Sequence, residues 1–209
     1  METLQERLKS IVRTSYDLLC RKIVGGVIDV DNEASLQMQL GVIMKTLGQL
    51  YEFTPADRFT IVLEHVVKND RLQTWKSKGK ARIDIMLTLT NGKESCNAAI
   101  ELKYFPKADG ETITDNRFFM LADIENLETY ICTGEVNLGY FMLYTTNKNY
   151  MSDARSSVKI GNEKPVNGVI TSNNRKITLT GSYYLNWNTF EDDKHCFLLQ
   201  PVKPICHEK

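Results

Sequence analysis

The sequence predicts a single α/β domain in which a mixed β-sheet is flanked by helices. Two N-terminal segments carry apolar residues at helical spacing, and β-branched or alternating segments typical of strands follow them. Next, a helical segment precedes a strand-sized, almost wholly apolar run, an order that favours parallel pairing around a crossover helix. A chain of 209 residues suffices for one substantial domain. We expect N-terminal helices in residues 1–55, the sheet core in 56–147, and a polar insertion with C-terminal strands in 148–209.

The first two elements are predicted to be amphipathic helices. In the first, apolar residues recur every three or four positions until Gly25-Gly26 interrupts the pattern. Asp31 and Asn32 are suitable capping residues for the second helix, and Pro55 follows its end. The apolar residues at helical spacing are Leu4, Leu8, Ile11, Val12 and Leu19 in the first helix and Leu36, Leu40, Ile43, Met44, Leu47 and Leu50 in the second.

Three strands are predicted next, at residues 60–67, 82–90 and 97–105. The second alternates, so that its apolar residues face one way and Asp84 faces the other. Asn91-Gly92 is a strong turn signal between the second strand and the third. In the third strand Glu101 and Lys103 are two positions apart and therefore project from the same face.

The remaining chain alternates between polar connections and apolar elements. A polar connection at residues 106–116, with Asp115 as its capping residue, leads to a helix expected at about 117–132. The apolar run 138–145 has the pattern of a strand that is buried on both faces. Residues 147–175 are rich in Asn, Ser and Lys, which indicates a long irregular region. Late strands are expected at residues 177–187 and 195–202.

Composition and charge are ordinary for a globular protein, with 42% hydrophobic residues, 25% charged residues and a formal net charge of zero. Neutrality argues against strong non-specific binding to DNA, although it leaves room for a local basic groove. No apolar stretch approaches the roughly 20 residues of a membrane helix, and the N-terminus lacks the pattern of a secretory signal. Five scattered cysteines do not suggest a disulfide framework. We therefore expect a cytoplasmic protein in a reducing compartment.

Two acidic residues, Asp84 and Glu101, lie in otherwise apolar strands, and a hairpin would bring them and Lys103 onto one patch. Mg²⁺ prefers carboxylate oxygens, and the Leu102 carbonyl is a natural further ligand because the strand directs it along the sheet edge. Lys103 would orient an attacking water or neutralise charge on a phosphate. The pattern therefore predicts Asp84, Glu101 and Lys103 as catalytic residues, with Mg²⁺ or Mn²⁺ on Asp84, Glu101 and Leu102. The alternative is the solvated face of an antiparallel sheet.

An Asp in one strand, followed after a hairpin by Glu-x-Lys, resembles the PD-(D/E)xK, or restriction-endonuclease-like, nuclease superfamily. Arg82-Ile83-Asp84-Ile85 and Ile100-Glu101-Leu102-Lys103-Tyr104 carry this resemblance, within a similar order of strands and helices. The superfamily's frequent proline before the Asp is absent. Uncharacterised bacterial members are also similar at residues 32–37, 123–128, 140–147 and 181–187. The resemblance implies a restriction-endonuclease-like core, a DNA substrate and a homodimer.

The resemblance also implies that Glu33, at the start of the second helix, leans toward the metal as a further ligand. Helical geometry places Glu33 about 60° from Leu36, at the border of the apolar stripe. Acidic residues are favoured in the first turn of any helix, so helix-end electrostatics explains Glu33 equally well. Glu64, in the first strand, is a weaker candidate ligand, and an ordinary strand position is the favoured explanation.

A basic cluster with one tryptophan leads into the Asp84 strand; its members are Trp75, Lys76, Lys78, Lys80 and Arg82. One interpretation is a nucleic-acid-binding loop in which the cations contact phosphates and Trp75 stacks on a base. The other is a solvated hairpin with a half-buried Trp.

Two other kinds of site are not expected. His195, Cys196, Cys206 and His207 are suitable zinc ligands by type, but they lack the spacing of a zinc site. The sequence also contains no Gly-rich phosphate loop, and no convincing Ser-His-Asp set is evident.

These residues support three functional hypotheses. The first is a metal-dependent deoxyribonuclease, acting as an endonuclease or exonuclease in defence or mobile-element biology. The second is a catalytically silent nuclease-fold binding or assembly module, which the zero net charge favours and the intact Asp84, Glu101 and Lys103 oppose. The third is a nuclease toxin that a regulatory protein partner activates.

Overall fold

A computed structural model describes residues 2–67, 81–105, 110–152, 156–160, 165–190 and 194–206, apart from the side chains of residues 110–112. Its helices are α1 (Leu4–Val24), α2 (Glu33–Leu50) and α3 (Gly110–Cys132), and a 3₁₀ helix lies at Lys148–Met151. The strands are β1 (Arg58–Val67), β2 (Ala81–Thr90), β3 (Ser95–Phe105), β4 (Leu138–Thr145), β5 (Val166–Ser172), β6 (Arg175–Tyr183), β7 (Trp187–Asn188) and β8 (Cys196–Val202). The predicted architecture, a mixed sheet flanked by helices, is confirmed.

Both N-terminal helices begin at reciprocal capping interactions. Thr3 and Glu6 form a capping box at the start of α1. At α2, the predicted capping residue Asn32 accepts a hydrogen bond from the Ser35 N–H at 2.8 Å, and Ser35 Oγ accepts one from the Asn32 N–H. These bonds fix the first turn of α2 and so the position of Glu33, its first residue.

The main sheet has six strands in the order β1-β2-β3-β4-β8-β7. β1, β2 and β3 pair antiparallel, whereas β3 and β4 pair parallel and are connected through α3. The predicted strand at residues 138–145 coincides with β4, which is buried at every position except its first. Because β8 covers the far edge of β4, the C-terminal half of β3 lies near the centre of the sheet.

Each face of the sheet carries its own hydrophobic core. α1 and α2 cover one face, where Ile85 and Leu102 are fully buried. α3 and the β5–β6 hairpin cover the other face, where Ala99 and Phe141 are fully buried. Leu50, the last residue of the apolar stripe of α2, is 69% exposed because α2 ends there.

α3 begins at Gly110, so the expected helix start near residue 117 and the expected cap at Asp115 are wrong. Asp115 lies inside the helix and forms an ion pair with Arg175. Asn116 donates a hydrogen bond to the Tyr150 hydroxyl at 2.6 Å. These partners lie 34 or more residues away in the sequence. They satisfy polar side chains that, judged from the neighbouring sequence alone, indicate a loop.

The region 147–175 is more ordered than predicted, because it contains the 3₁₀ helix and all of β5. β5 pairs with β6 as a hairpin whose two-residue turn is Asn173-Asn174. Both asparagines have positive φ, 49° and 61°, as a tight hairpin turn requires. β6 ends at Tyr183, earlier than predicted, and Trp187 pairs instead with β8 in the main sheet.

Cys132 and Cys206 form a disulfide, although the scattered cysteines did not predict one. The two residues are 74 positions apart, so their spacing gives no local indication that α3 and the C-terminal segment meet. Cys20, Cys96 and Cys196 are buried and take no part in a disulfide. Within the described parts of the chain, every helix is too short or too polar to cross a membrane.

Two glycines of α2 give a paired test of the packing between α2 and β1. A Cβ on Gly48 would lie 2.2 Å from the ring of Phe59, which is only 3% exposed, whereas a Cβ on Gly41 would meet Leu63 at 3.7 Å. We expect Gly48→Ala to lower the free energy of unfolding by about 1–3 kcal/mol through overpacking. Gly41→Ala should raise it by about 0.5–1 kcal/mol, since alanine restricts the unfolded chain. Urea denaturation measures both, and equal effects at the two positions would contradict this packing.

Candidate active site

The candidate site lies where the pairing between β2 and β3 ends. The β2–β3 ladder stops at Ile85↔Ile100, whereas β3 continues beside β4 as far as Phe105. Beyond the ladder, the Leu102 N–H donates to Asp84 Oδ2 at 2.6 Å, and Gln37 Nε2 donates to the Asp84 carbonyl at 2.7 Å. Side chains therefore satisfy backbone groups that strand pairing would otherwise use, and Asp84 is held against β3.

Asp84 and Glu101 carry neighbouring carboxyl groups, of which Glu101 is buried and Asp84 is half-buried. Glu101 is only 5% exposed, and its carboxyl group interacts with the Asp84 carboxyl and with the Tyr130 hydroxyl. Burial raises the pKa of Asp84 to about 6, although the Lys103 ammonium and the Leu102 N–H oppose this shift. Burial and the neighbouring Asp84 charge raise the pKa of Glu101 well above its usual value.

Lys103 is the cation of the site, and its side chain is 14% exposed. Its Nζ lies 2.8 Å from Asp123 Oδ2 and 3.9 Å from Glu33 Oε2, and it donates to the Leu102 carbonyl at 2.8 Å. Burial alone would lower the pKa of the ammonium, but Asp123 and Glu33 outweigh this effect and raise it. Lys103 therefore stays charged within the pH range of ordinary assays.

Glu33 lies at the rim of the site, with its side chain 46% exposed. It occupies the first turn of α2, so its helix-end role and its approach to Lys103 coexist. Glu64 accepts a hydrogen bond from Gln37 Nε2 at 3.1 Å and lies 3.8 Å from Arg82. Arg82 is thus placed beside an acidic partner at the edge of the sheet.

The structure brings together Glu33, Asp84, Glu101, Leu102 and Lys103. Of the proposed nucleic-acid-binding residues it describes Arg82 alone, since Trp75, Lys76, Lys78 and Lys80 lie outside the described residues. The four His and Cys residues considered as zinc ligands are engaged elsewhere where the structure describes their contacts. Cys206 is in the disulfide, and the His195 ring is hydrogen-bonded to the Tyr144 hydroxyl. His207 lies outside the described residues.

Three residues at the site were not predicted: Gln37, Asp123 and Tyr130. Asp123 and Tyr130 are seven positions apart on α3 and therefore share a helix face that turns toward β3. A polar residue within the otherwise apolar stripe of α3 is a signal that would have indicated Asp123. Gln37 follows Glu33 by one helical turn and lies on the same face of α2, so the position of Glu33 would have predicted Gln37 at the site.

The donor set fits a hard divalent cation in its chemistry. Two carboxyls with raised pKa values, and a main-chain carbonyl that already contacts a cationic group, would all be stabilised by added positive charge. Among the described residues, no group of three or more His, Cys, Asp or Glu side chains is arranged as a metal-binding cluster. The predicted set comprises the Asp84, Glu101 and Glu33 carboxylates with the Leu102 carbonyl, and its three carboxylates do not form such a cluster in this structure.

Comparison with protein-family models, with curated proteins and with solved structures gives no significant match for this chain. The functional interpretation therefore depends on the geometry of the site.

Proposed function

We propose that this protein is a metal-dependent nuclease with a restriction-endonuclease-like core, and that it hydrolyses phosphodiester bonds in DNA. The observation that supports this most is the meeting of Asp84, Glu101 and Lys103 beside the Leu102 carbonyl, where β2 and β3 separate. Carboxyl groups with raised pKa values and a paired lysine are typical of functional sites rather than of solvated sheet faces.

Each residue has a distinct role in the proposed reaction. Asp84, Glu101 and the Leu102 carbonyl would hold Mg²⁺ or Mn²⁺, and Glu33 at the rim would be a further ligand directly or through water. When bound, the cation lowers the pKa of a coordinated water and neutralises phosphate charge. Tyr130 orients Glu101 through its hydroxyl, and Gln37 holds the Asp84 backbone. Lys103 orients the attacking water or stabilises charge on the phosphate.

The substrate, assembly and location form part of the same proposal. We include a homodimer in the proposal, because two such sites would cut both strands of a duplex in one binding event. Trp75, Lys76, Lys78, Lys80 and Arg82 remain the proposed contacts to DNA phosphates and bases. In the cytoplasm, the proposed location, reducing conditions would keep Cys132 and Cys206 as thiols.

Two other candidates keep a specific observation in their favour. The formal net charge of zero favours a silent nuclease-fold binding module, since DNA-binding domains often carry a basic excess. The contact of Lys103 with the Leu102 carbonyl favours a nuclease that a regulatory protein activates, because that contact uses a proposed ligand. Metal uptake without cleavage in isolation, followed by cleavage on adding a partner, would distinguish the activated nuclease from the silent module.

Cleavage of supercoiled plasmid in Mg²⁺ or Mn²⁺ tests the proposed function. We expect Glu101→Gln to reduce the rate on the order of 1,000-fold, since several kcal/mol of transition-state stabilisation depends on the cation. Glu135→Gln, at an exposed position after α3, is the matched control and should cleave like the wild type. EDTA should abolish cleavage by both active proteins. Equal rates for Glu101→Gln and the wild type would contradict the assignment of this site.

A further inference from the structure

Asp123 is an acidic residue of the site that no sequence motif indicated, and it reaches Lys103 from α3, on the side opposite Glu33. We propose that Asp123 is the positioning residue for Lys103. It holds the ammonium at the edge of the site, so that the Leu102 carbonyl becomes available to a metal ion. This inference rests on the proposed nuclease function and assigns a regulating contact within that same site.

The Leu102 carbonyl has two candidate partners, the Lys103 ammonium and a metal ion. Lys103 Nζ donates to the Leu102 carbonyl at 2.8 Å, and the same oxygen is a proposed metal ligand. A divalent cation on this oxygen would lie close to the ammonium, and two cations at short separation repel in a buried site. Lys103 therefore has to leave the Leu102 carbonyl when a metal ion binds.

Two carboxylates contact the Lys103 ammonium, and they differ in distance and in exposure. Asp123 Oδ2 is 2.8 Å from Nζ and Glu33 Oε2 is 3.9 Å away, and the Asp123 side chain is 19% exposed against 46% for Glu33. A shorter and less solvated ion pair is the stronger one. Asp123 is thus the anchor, and Glu33 is a weaker second contact.

The Lys103 ammonium is free to move around the Asp123 carboxylate. Within the described residues, Asp123 Oδ2 is buried and accepts no hydrogen bond of directed geometry, so charge alone holds Nζ beside it. The carboxylate itself is fixed, because α3 is tied to β6 through Glu125, which accepts from the Thr178 N–H at 2.7 Å, and through Glu128. Nζ can therefore swing away from Leu102 while it stays on Asp123.

The first experiment observes the ammonium in the metal-free protein, where no turnover is involved. We expect the ¹⁵N-labelled Lys103 ammonium to give a slowly exchanging NMR signal, assigned by its absence in Lys103→Met. Asp123→Asn should remove this signal, whereas Glu33→Gln should keep it. A signal that survives in Asp123→Asn would overturn the role of Asp123, provided that both variants unfold at the wild-type urea concentration.

The second experiment is a double-mutant cycle on plasmid cleavage at saturating Mn²⁺. Asp123→Asn should slow cleavage about 10–100-fold in the wild-type background, the range for groups that orient a neighbouring site residue. In the Lys103→Met background the same change should have almost no further effect. Equal losses in both backgrounds would show that Asp123 acts independently of Lys103 and overturn the proposal.

The two proposals fail in different ways. A wild-type protein that takes up no Mn²⁺ and cleaves no DNA in either metal would overturn the nuclease function. A retained ammonium signal in Asp123→Asn would overturn only the positioning role. Calorimetric titration of Lys103→Met adds a third readout: it should bind Mn²⁺ more tightly than the wild type, because the competing cation has been removed.

Discussion

Asp84→Asn is expected to reduce the cleavage rate on the order of 1,000-fold while making the metal-free protein more stable at neutral pH. The amide keeps an oxygen that can accept the Leu102 N–H, but it lacks the charge that holds a cation. Opposite effects on activity and stability are typical of a residue that serves function at the expense of folding. Asp29→Asn, at an exposed loop position, is the matched control and should change neither property.

The pH dependence of stability follows from the direction of the Asp84 shift. In the folded protein the pKa of Asp84 is about 6, whereas the pKa of an unfolded aspartate is about 3.9. Between these values the folded state binds more protons, so the free energy of unfolding falls as pH rises through this window. Asp84→Asn should remove a decline on the order of 2–3 kcal/mol. Urea denaturation at pH 4 and pH 8 in EDTA measures this, and identical declines in both proteins would contradict it.

Glu128→Ala is expected to destabilise the fold strongly, by about 3–5 kcal/mol, since it removes a buried charged acceptor. The Glu128 carboxylate is 3% exposed and accepts hydrogen bonds from the Thr180 and Gly181 N–H groups at 2.8 and 2.7 Å. It also accepts from the Tyr183 hydroxyl at 2.5 Å, and burial raises the pKa of that hydroxyl. Without the carboxylate, three donors between α3 and β6 would remain unsatisfied.

The matched control for Glu128→Ala is Glu135→Ala, which alters an exposed glutamate just beyond α3. The control should unfold within about 0.5 kcal/mol of the wild type. Because α3 also carries Asp123, Glu128→Ala should in addition weaken cleavage at temperatures where the protein is still folded. A Glu128→Ala protein as stable as the control would show that α3 and β6 are held together by other contacts.

The parts of the fold that the sequence predicted are those with strong local patterns. β2 and β4 follow directly from alternation and from an uninterrupted apolar run, and α2 from its cap at Asn32. The meeting of Asp84 with Glu101 follows because alternation and a hairpin together fix which faces coincide.

The parts that could not be predicted depend on partners far away in the chain. The first turns of α3 are polar, and they are helical because residues such as Asp115 have partners up to 60 positions away. Asp123 reaches the site only because α3 packs across β3, and the disulfide joins residues 74 positions apart. Periodicity within one segment carries no information on such contacts.

Calorimetric titration with Mn²⁺ tests the central claim most directly, because it measures metal uptake at Asp84 and Glu101 without requiring substrate or partner. We expect the wild type and Glu135→Gln to bind the ion saturably at millimolar concentration or below, and Glu101→Gln to lose this binding. Binding that persists unchanged in Glu101→Gln, or a wild-type protein that takes up no Mn²⁺ at millimolar concentration, would contradict a metal-dependent site at these residues.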